Sequence, residues 1–167
     1  MILTVLLDEA SQAWFDGLRR AHFPPERLVV GAHVTLFHAL PHDADGVVDE
    51  VLRETAPDPS AVAVTGVRSL GRGVAFTLDA PGVEPLRAAL ADAFGDALTP
   101  QDRQPWRPHV TVQNKVTPAA AAALHARLSA SFVPFEARAE GLELWHYRGG
   151  PWELAARRMF GQRPDAR

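Results

Sequence analysis

The sequence predicts an α+β fold made of two related lobes. Short runs of apolar residues, typical of β-strands, alternate with longer segments whose apolar residues recur at helical spacing. This alternation lacks the glycine-rich fingerprint of a dinucleotide-binding Rossmann sheet. A His-apolar-Thr-apolar pattern also occurs twice, at 33–36 and at 109–112. Two strands that carry the same pattern predict a pseudo-twofold arrangement of the lobes.

The predicted order of elements is strand, helix, strand, helix, strand, strand, helix, strand, helix, strand, strand. The apolar run over 1–7 predicts a buried first strand, and the helix that follows over 9–21 can begin at Asp8 or Ser11. A proline pair at 24–25 ends the segment because proline does not continue a helix. The apolar face of this helix is expected to consist of Ala13, Phe15 and Leu18.

The run 28–32 leads into the next predicted strand, which carries the first copy of the pattern and ends near 40–41. Branched apolar residues at helical spacing then predict a second helix over 44–55. The segments 60–70 and 73–79 have the composition of strands, and a short glycine-containing connector joins them. Such a connector predicts a β-hairpin.

A third helix is predicted over 82–98, followed by a polar, proline-rich loop that leads into the second copy of the pattern. Pro118 suits the first position of a fourth helix over 118–130. A Gly-Gly-Pro turn sequence then joins the last two predicted strands, 132–146 and 152–160.

The composition favours a single two-lobed domain over 1–167 and limits its function. Apolar residues make up 47% of the chain, which is enough for a sizeable core. The chain has no cysteine, which excludes disulfides, zinc–thiolate sites and thiol nucleophiles. The formal charge of -3 argues against a protein that grips long duplex nucleic acid through its phosphates. It is compatible with a pocket for one nucleotide or one chain end.

No apolar stretch reaches the length of a membrane span. The N-terminus also lacks the basic leader with which a signal peptide begins. The sequence therefore predicts a cytoplasmic protein without a membrane partner, and we expect it to be a monomer.

The repeated pattern gathers chemical groups on one face of each strand. Side chains alternate between the two faces, so His33 shares a face with Thr35, and His109 with Thr111. Displacement at phosphorus needs an acid and a base on opposite sides of the phosphate, and two histidines supply both near neutral pH. The threonine hydroxyls are expected to hold the non-bridging oxygens. The residues leave open which histidine is the base.

This chemistry needs no cofactor or metal, and the chain has no His-Glu-x-x-His type of ligand spacing. An aromatic side chain near the site is a candidate platform for stacking a base, and an arginine is a candidate phosphate contact. Aromatic residues in strands more often belong to the core, and arginines more often pair with surface acids. The candidates for substrate contact are Trp106, Arg107, Tyr147 and Arg148, with Trp145 and Trp152 as further aromatic residues.

The paired motifs resemble the signature of the 2H phosphoesterase superfamily, which includes bacterial 2′-5′ RNA ligase-like proteins. The segment Trp106-Arg107-Pro108-His109-Val110-Thr111-Val112 is similar to the second motif of that group, and the 76-residue separation of the histidines is typical of it. The resemblance implies helices outside two antiparallel-sheet lobes, with one motif from each lobe facing a central cleft. It also implies metal-independent work on 2′,3′-cyclic or related phosphodiesters of nucleotides or RNA ends.

Three functions are compatible with these motifs. The first is a cyclic phosphodiesterase that opens 2′,3′-cyclic phosphates. The second is a 2′-5′ RNA ligase-type enzyme that processes RNA ends, against which the negative net charge argues because such an enzyme needs a basic track. The third is a non-catalytic module that binds a nucleotide or an RNA end. Two complete motifs argue against a pure binding protein, which needs no pair of titratable groups around one phosphate.

Overall fold

The computed structural model describes residues 1–162, so the last five residues of the predicted 1–167 domain lie outside the described part. The elements follow the predicted order. The strands are β1 Ile2–Leu7, β2 Val34–Phe37, β3 Ser60–Ser69, β4 Val74–Asp79, β5 His109–Gln113, β6 Phe135–His146 and β7 Glu153–Met159. The helices are α1 Glu9–His22, α2 Ala44–Thr55, α3 Glu84–Phe94 and α4 Pro118–Ser131. No helix within residues 1–162 is both long and apolar enough to cross a membrane.

The strands form one antiparallel sheet that has two halves, and β6 belongs to both of them. The strand order is β2-β1-β6-β3-β4-β5, and β7 also pairs with β6. The first part of β6, up to Ala139, pairs with β3, whereas the part from Ala139 onward pairs with β1 and β7. The sheet therefore consists of two four-stranded halves, β2-β1-β6-β7 and β5-β4-β3-β6. In each half the strand with the repeated pattern lies at the edge, which agrees with the predicted two-lobed α+β fold.

The described helices cover one face of this sheet. The apolar residues of both pattern copies are buried there and join side chains from α1 to α4 in a single hydrophobic core. Helix α1 lies against β5, α4 lies against β3, and α2 packs against α3. The opposite face carries Thr35 and Thr111, and we call it the motif face.

Helix α1 differs from the prediction in the residues that it buries. The Asp8 carboxylate caps its first turn by accepting a 2.9 Å hydrogen bond from the Ser11 amide, so Asp8 is the cap. The buried face consists of Ser11, Phe15 and Arg19, and the predicted Ala13 is exposed. The reason is that an arginine side chain enters the interior to bind backbone carbonyls, which an apolar pattern does not reveal.

Three boundaries also differ from the predictions. Strand β2 ends at Phe37, before the predicted end near 40–41, and irregular backbone precedes it, in which Ala32 hydrogen bonds to side chains of α1. Helix α3 ends before 98 at Gly95, whose φ of 49° suits glycine and breaks the helix. Strand β6 begins after Pro134, which has no N–H for a strand ladder.

Candidate active site

The two motif strands lie at opposite ends of the strand order, and two side chains hold them together. Trp106 donates a 2.9 Å hydrogen bond from Nε1 to the carbonyl of Thr35. Arg19 donates a 2.6 Å hydrogen bond from Nη1 to the carbonyl of Thr111. Edge strands have backbone groups without a strand partner, and in both cases the donor lies outside the half of the sheet that contains the acceptor strand. The contacts bring β2 and β5 side by side.

Arg19 is the more buried of these two side chains. Its side chain is 5% exposed, and its guanidinium lies 4.1 Å from the centre of the Phe23 ring. Its Nε donates a 3.0 Å hydrogen bond to the carbonyl of Val30, just before the first motif. Burial lowers the pKa of Arg19, and the nearby Asp16 carboxylate partly offsets this effect. One side chain of α1 thus links the approach to the first motif with the centre of the second.

Helix α1 also fixes the backbone immediately before His33. The Asp16 carboxylate accepts a 2.7 Å hydrogen bond from the amide of Ala32, and the Gln12 amide donates a 2.8 Å bond to the Ala32 carbonyl. The adjacent Gly31 is required by this close approach, because a Cβ there would lie 2.8 Å from the Asp16 carboxylate oxygen. The helix therefore sets the position from which the first imidazole projects.

The two imidazoles make the same local hydrogen bond. Nδ1 of His33 lies 2.8 Å from the carbonyl of Gly31, and Nδ1 of His109 lies 2.9 Å from the carbonyl of Arg107. A carbonyl only accepts, so Nδ1 carries the proton in both rings and donates it. Nε2 of each ring is then the atom that takes up or releases a proton. A general base needs an unprotonated Nε2 and a general acid needs a protonated one, so a ring held through Nδ1 suits either role.

The electrostatic surroundings of His33 favour its neutral form. Burial lowers the pKa of His33 to about 4, and the positive charges of Arg19, His109 and His38 add to the effect against the opposing hydrogen bond from Gly31. Desolvation and nearby cations both disfavour an imidazolium. The influence of His109 is consistent with two rings that share one site. Near pH 7, the His33 imidazole is thus neutral.

The two motif threonines are partly exposed on the motif face. In the first half, residues in register across four strands continue the row that Thr35 begins: Thr35, Thr4, Glu143 and Arg157. Thr4 is 1% exposed and accepts a 2.9 Å hydrogen bond from Nε1 of Trp145. Glu143 accepts a 2.9 Å hydrogen bond from Nε of Arg157, so this row is already charge-paired.

The four weaker candidates for substrate contact have different surroundings in the structure. Trp106 packs against the core and uses its Nε1 on Thr35, so its role in the described structure is to hold the strands. The Arg107 side chain is exposed next to His109. Tyr147 and Arg148 are exposed and line a cavity of about 160 Å³ whose walls include neither motif histidine. Contact of these two residues with a substrate stays a prediction.

Trp152 lies beside the first motif histidine. Its ring centre is 4.6 Å from that of His33, and Trp145 follows at 6.2 Å from Trp152. The sequence offered Trp152 only as one of several strand aromatics, because the turn between β6 and β7 decides where it lies. Trp152 is therefore a further candidate for substrate contact.

Two other features lie outside this site. A cavity of about 260 Å³ opens between α1 and the segment before the first motif, lined by Asp16, Arg19, Arg20, Leu28, Val29, Val30 and Gly31. It lies behind the motif histidines and includes neither of them. Among residues 1–162, no three side chains of the metal-binding types His, Asp and Glu are clustered closely enough to hold a metal ion.

Comparison with known proteins assigns this chain to a family. A family model described as the 2′-5′ RNA ligase superfamily matches residues 7–151. No curated protein matches the chain.

Solved structures resemble the fold at low sequence identity. TT0787 of Thermus thermophilus is 17% identical with a TM-score of 0.62, and the match covers 99% of this chain and 100% of that chain. E. coli LigT complexed with 3′-AMP is 16% identical with a TM-score of 0.62, over 96% of this chain and 97% of that chain. E. coli LigT complexed with NADP+ is 15% identical with a TM-score of 0.60, over 96% and 97%.

The family model covers most of the chain, and the similar structures share its two-lobed fold. The resemblance that the paired motifs indicate is thereby confirmed. The chain belongs to the 2′-5′ RNA ligase superfamily, within the 2H phosphoesterases.

Proposed function

We propose that this protein is a phosphodiesterase that opens 2′,3′-cyclic phosphates of nucleotides or RNA ends. The observation that carries the proposal is the matched pair of imidazoles, each with Nδ1 bound to the carbonyl two residues earlier and Nε2 available for proton transfer. E. coli LigT has been crystallised with 3′-AMP and with NADP+. Nucleotide binding on the same fold supports a nucleotide substrate here.

In the proposed mechanism the lowered pKa of His33 makes it the base and leaves His109 as the acid. A water molecule attacks phosphorus and gives its proton to Nε2 of His33. The bond from phosphorus to one ribose oxygen breaks, and that oxygen takes the proton from Nε2 of His109. The product is a nucleoside monophosphate, and proton exchange with solvent restores the two rings. The reverse assignment would require an acid with a pKa of about 4, which is deprotonated near neutral pH.

Thr35 and Thr111 complete the proposed site. Their hydroxyls can donate hydrogen bonds to the two non-bridging oxygens, where negative charge develops during the displacement. The two histidines supply both proton transfers that this reaction needs, and the two hydroxyls contact the non-bridging oxygens. The proposed reaction is therefore metal-independent.

The test is hydrolysis of a panel of 2′,3′-cyclic mononucleotides in the presence of EDTA. Wild type is compared with His33→Ala and His109→Ala, and with His42→Ala, which removes an exposed histidine. We expect turnover by wild type and His42→Ala, and a loss of at least about 100-fold in each motif variant, because general acid–base catalysis contributes about 10²–10⁴-fold. Near-wild-type turnover in either motif variant would refute the mechanism. Wild type that cleaves none of these compounds would favour a longer RNA end as the ligand.

A further inference from the structure

The two halves of the motif face differ in charge at equivalent positions. In the first half, the third strand counted from the edge places Glu143 in register with Thr4 and Thr35. In the second half, the third strand places Arg68 in register with Ala75 and Thr111. The pseudo-twofold relation thus pairs an acidic residue in one half with a basic residue in the other.

Arg68 is not neutralised in the way that Glu143 is. Glu143 forms an ion pair with Arg157. No carboxylate within residues 1–162 forms an ion pair with Arg68, and its Nε is enclosed without a hydrogen-bond partner in that part of the chain. A buried polar group left without a partner is unfavourable by about 1–3 kcal/mol, and by more when it is charged. A ligand that accepts a hydrogen bond from the Arg68 guanidinium would remove this cost.

A single small residue lies between Arg68 and the motif threonine in this register. Two strand spacings, about 10 Å, separate the backbones of Arg68 and Thr111, and the residue between them is Ala75. Ala75 is fully buried although it faces away from the hydrophobic core and does not belong to it. Its small side chain leaves room for an arginine side chain to lie across it toward Thr111.

The site also needs a source of positive charge. A phosphodiester carries one negative charge, whereas His33 is neutral near pH 7 because burial lowers its pKa. The Arg19 guanidinium is buried and donates to the carbonyls of Val30 and Thr111. Arg68 lies in register with Thr111, and its Nε has no hydrogen-bond acceptor within residues 1–162. A planar guanidinium also matches the geometry of two phosphate oxygens.

We propose that Arg68 is a substrate-binding residue whose guanidinium binds an anionic oxygen of the phosphate held at Thr111. The inference rests on the proposed function for the identity of the ligand. It adds the charged contact that the His-x-Thr motifs do not contain, and it assigns that contact to one half of the molecule. The phosphate is therefore bound asymmetrically, because its charged contact lies in the half of the sheet that contains the second motif.

The test compares Arg68→Met, which removes the charge at similar length, with Arg68→Lys, which keeps a charge but loses the planar fork. Arg72→Met is the matched control, because Arg72 is an exposed arginine in the turn between β3 and β4. Two measurements are made on each protein: kcat and KM for a 2′,3′-cyclic mononucleotide, and the affinity for a nucleoside 2′-monophosphate by calorimetry. The midpoint of thermal unfolding verifies that each variant is folded.

We expect Arg68→Met to lower both kcat/KM and the affinity for the monophosphate by on the order of 10- to 100-fold, as for loss of a charged hydrogen bond. Arg68→Lys is expected to recover part of the affinity, and Arg72→Met to behave like wild type. If Arg68→Met is not folded, the proposal is tested with Arg68→Lys alone, for which we expect a several-fold loss of affinity for the monophosphate. Wild-type affinity in the folded Arg68 variants would overturn the proposal.

The binding measurement separates this inference from the proposed function. Wild type that binds the monophosphate through Arg68 but cleaves no cyclic phosphate would refute the function and support the contact. Turnover that survives in Arg68→Met with unchanged kcat and KM would refute the contact and support the function. Wild type that binds no monophosphate and cleaves no cyclic phosphate would overturn both.

Discussion

At the scale of single residues, the two motif histidines have the same hydrogen bond but different surroundings. His33 lies among positive groups and next to Trp152, and these neighbours are absent from its sequence motif. A repeated sequence pattern therefore produces two chemically different imidazoles. In the proposed mechanism, the lowered pKa of His33 allows this ring to accept a proton while His109 donates one.

The lowered pKa of His33 predicts a specific pH dependence of stability. The unfolded chain binds a proton on His33 as the pH falls through about 6.5, but the folded protein binds it only near pH 4. The free energy of unfolding therefore falls between these values, by at most about 1.4 kcal/mol per pH unit from this one group. Replacing His33 by Gln should remove this part of the slope.

The measurement is urea unfolding of wild type, His33→Gln and His42→Gln between pH 4 and 7. His42 is an exposed histidine and serves as the control. We expect a shallower loss of stability on acidification for His33→Gln alone. An identical slope in all three proteins would show that His33 titrates normally.

At the scale of elements, α1 is the helix that aligns the two motif strands. Arg19 reaches carbonyls of both motif segments from one turn of this helix. Replacing Arg19 by Met leaves the carbonyls of Val30 and Thr111 without these donors, and we expect the free energy of unfolding to fall by about 2–4 kcal/mol. The activity should also fall because β5 is no longer held next to β2.

The control for this prediction is Arg20→Met, which changes the adjacent, exposed arginine. It should alter stability by less than about 0.5 kcal/mol, as is usual for surface substitutions. Urea unfolding and cyclic-phosphate hydrolysis are measured on both variants. Equal stability of the two variants would mean that the hydrogen bonds of Arg19 contribute nothing beyond those of a surface side chain.

The same helix shows what the sequence can and cannot predict. The period of two in each motif was sufficient to place His33 and Thr35 away from the core, and the apolar periods were sufficient to order the strands and helices. The buried position of Arg19 and the nearness of Trp152 to His33 depend on which elements pack together. Arg68 depends on strand register, since a shift by one residue would turn it to the other face. Local patterns contain neither kind of information.

At the scale of the whole molecule, Asp102 connects the loop before the second motif to the strand of the first. This carboxylate is 2% exposed and accepts hydrogen bonds of 2.7 and 2.9 Å from the amides of His38 and Ala39, just after β2. The Thr99 hydroxyl donates a further bond of 3.2 Å. Burial alone would raise the pKa of Asp102, but these amides and the His38 ring bring it below its ordinary value.

We expect Asp102→Asn to lower the free energy of unfolding at neutral pH by about 2–4 kcal/mol, because the amide group has one acceptor oxygen where the carboxylate has two. Since folding lowers the pKa of Asp102, its contribution in wild type is complete above the unfolded value and is lost as the pH falls below about 3.8. The variant should therefore lose less stability than wild type on acidification below pH 4.

Asp96→Asn is the control, because Asp96 is a fully exposed carboxylate close to the same loop. Unfolding by urea at pH 7 and at pH 3 tests the prediction. If Asp96→Asn and Asp102→Asn change stability equally at pH 7, the connection between the two motif segments does not depend on Asp102.

The sharing of β6 between the two halves has a consequence for how this protein can be divided. A cut in the chain on either side of β6 leaves one half with three strands and a newly exposed edge, which invites aggregation. Separately produced fragments of this chain should therefore be insoluble alone and should regain solubility only when mixed. Although the molecule resembles a duplication of one motif-bearing unit, we expect neither copy to fold on its own.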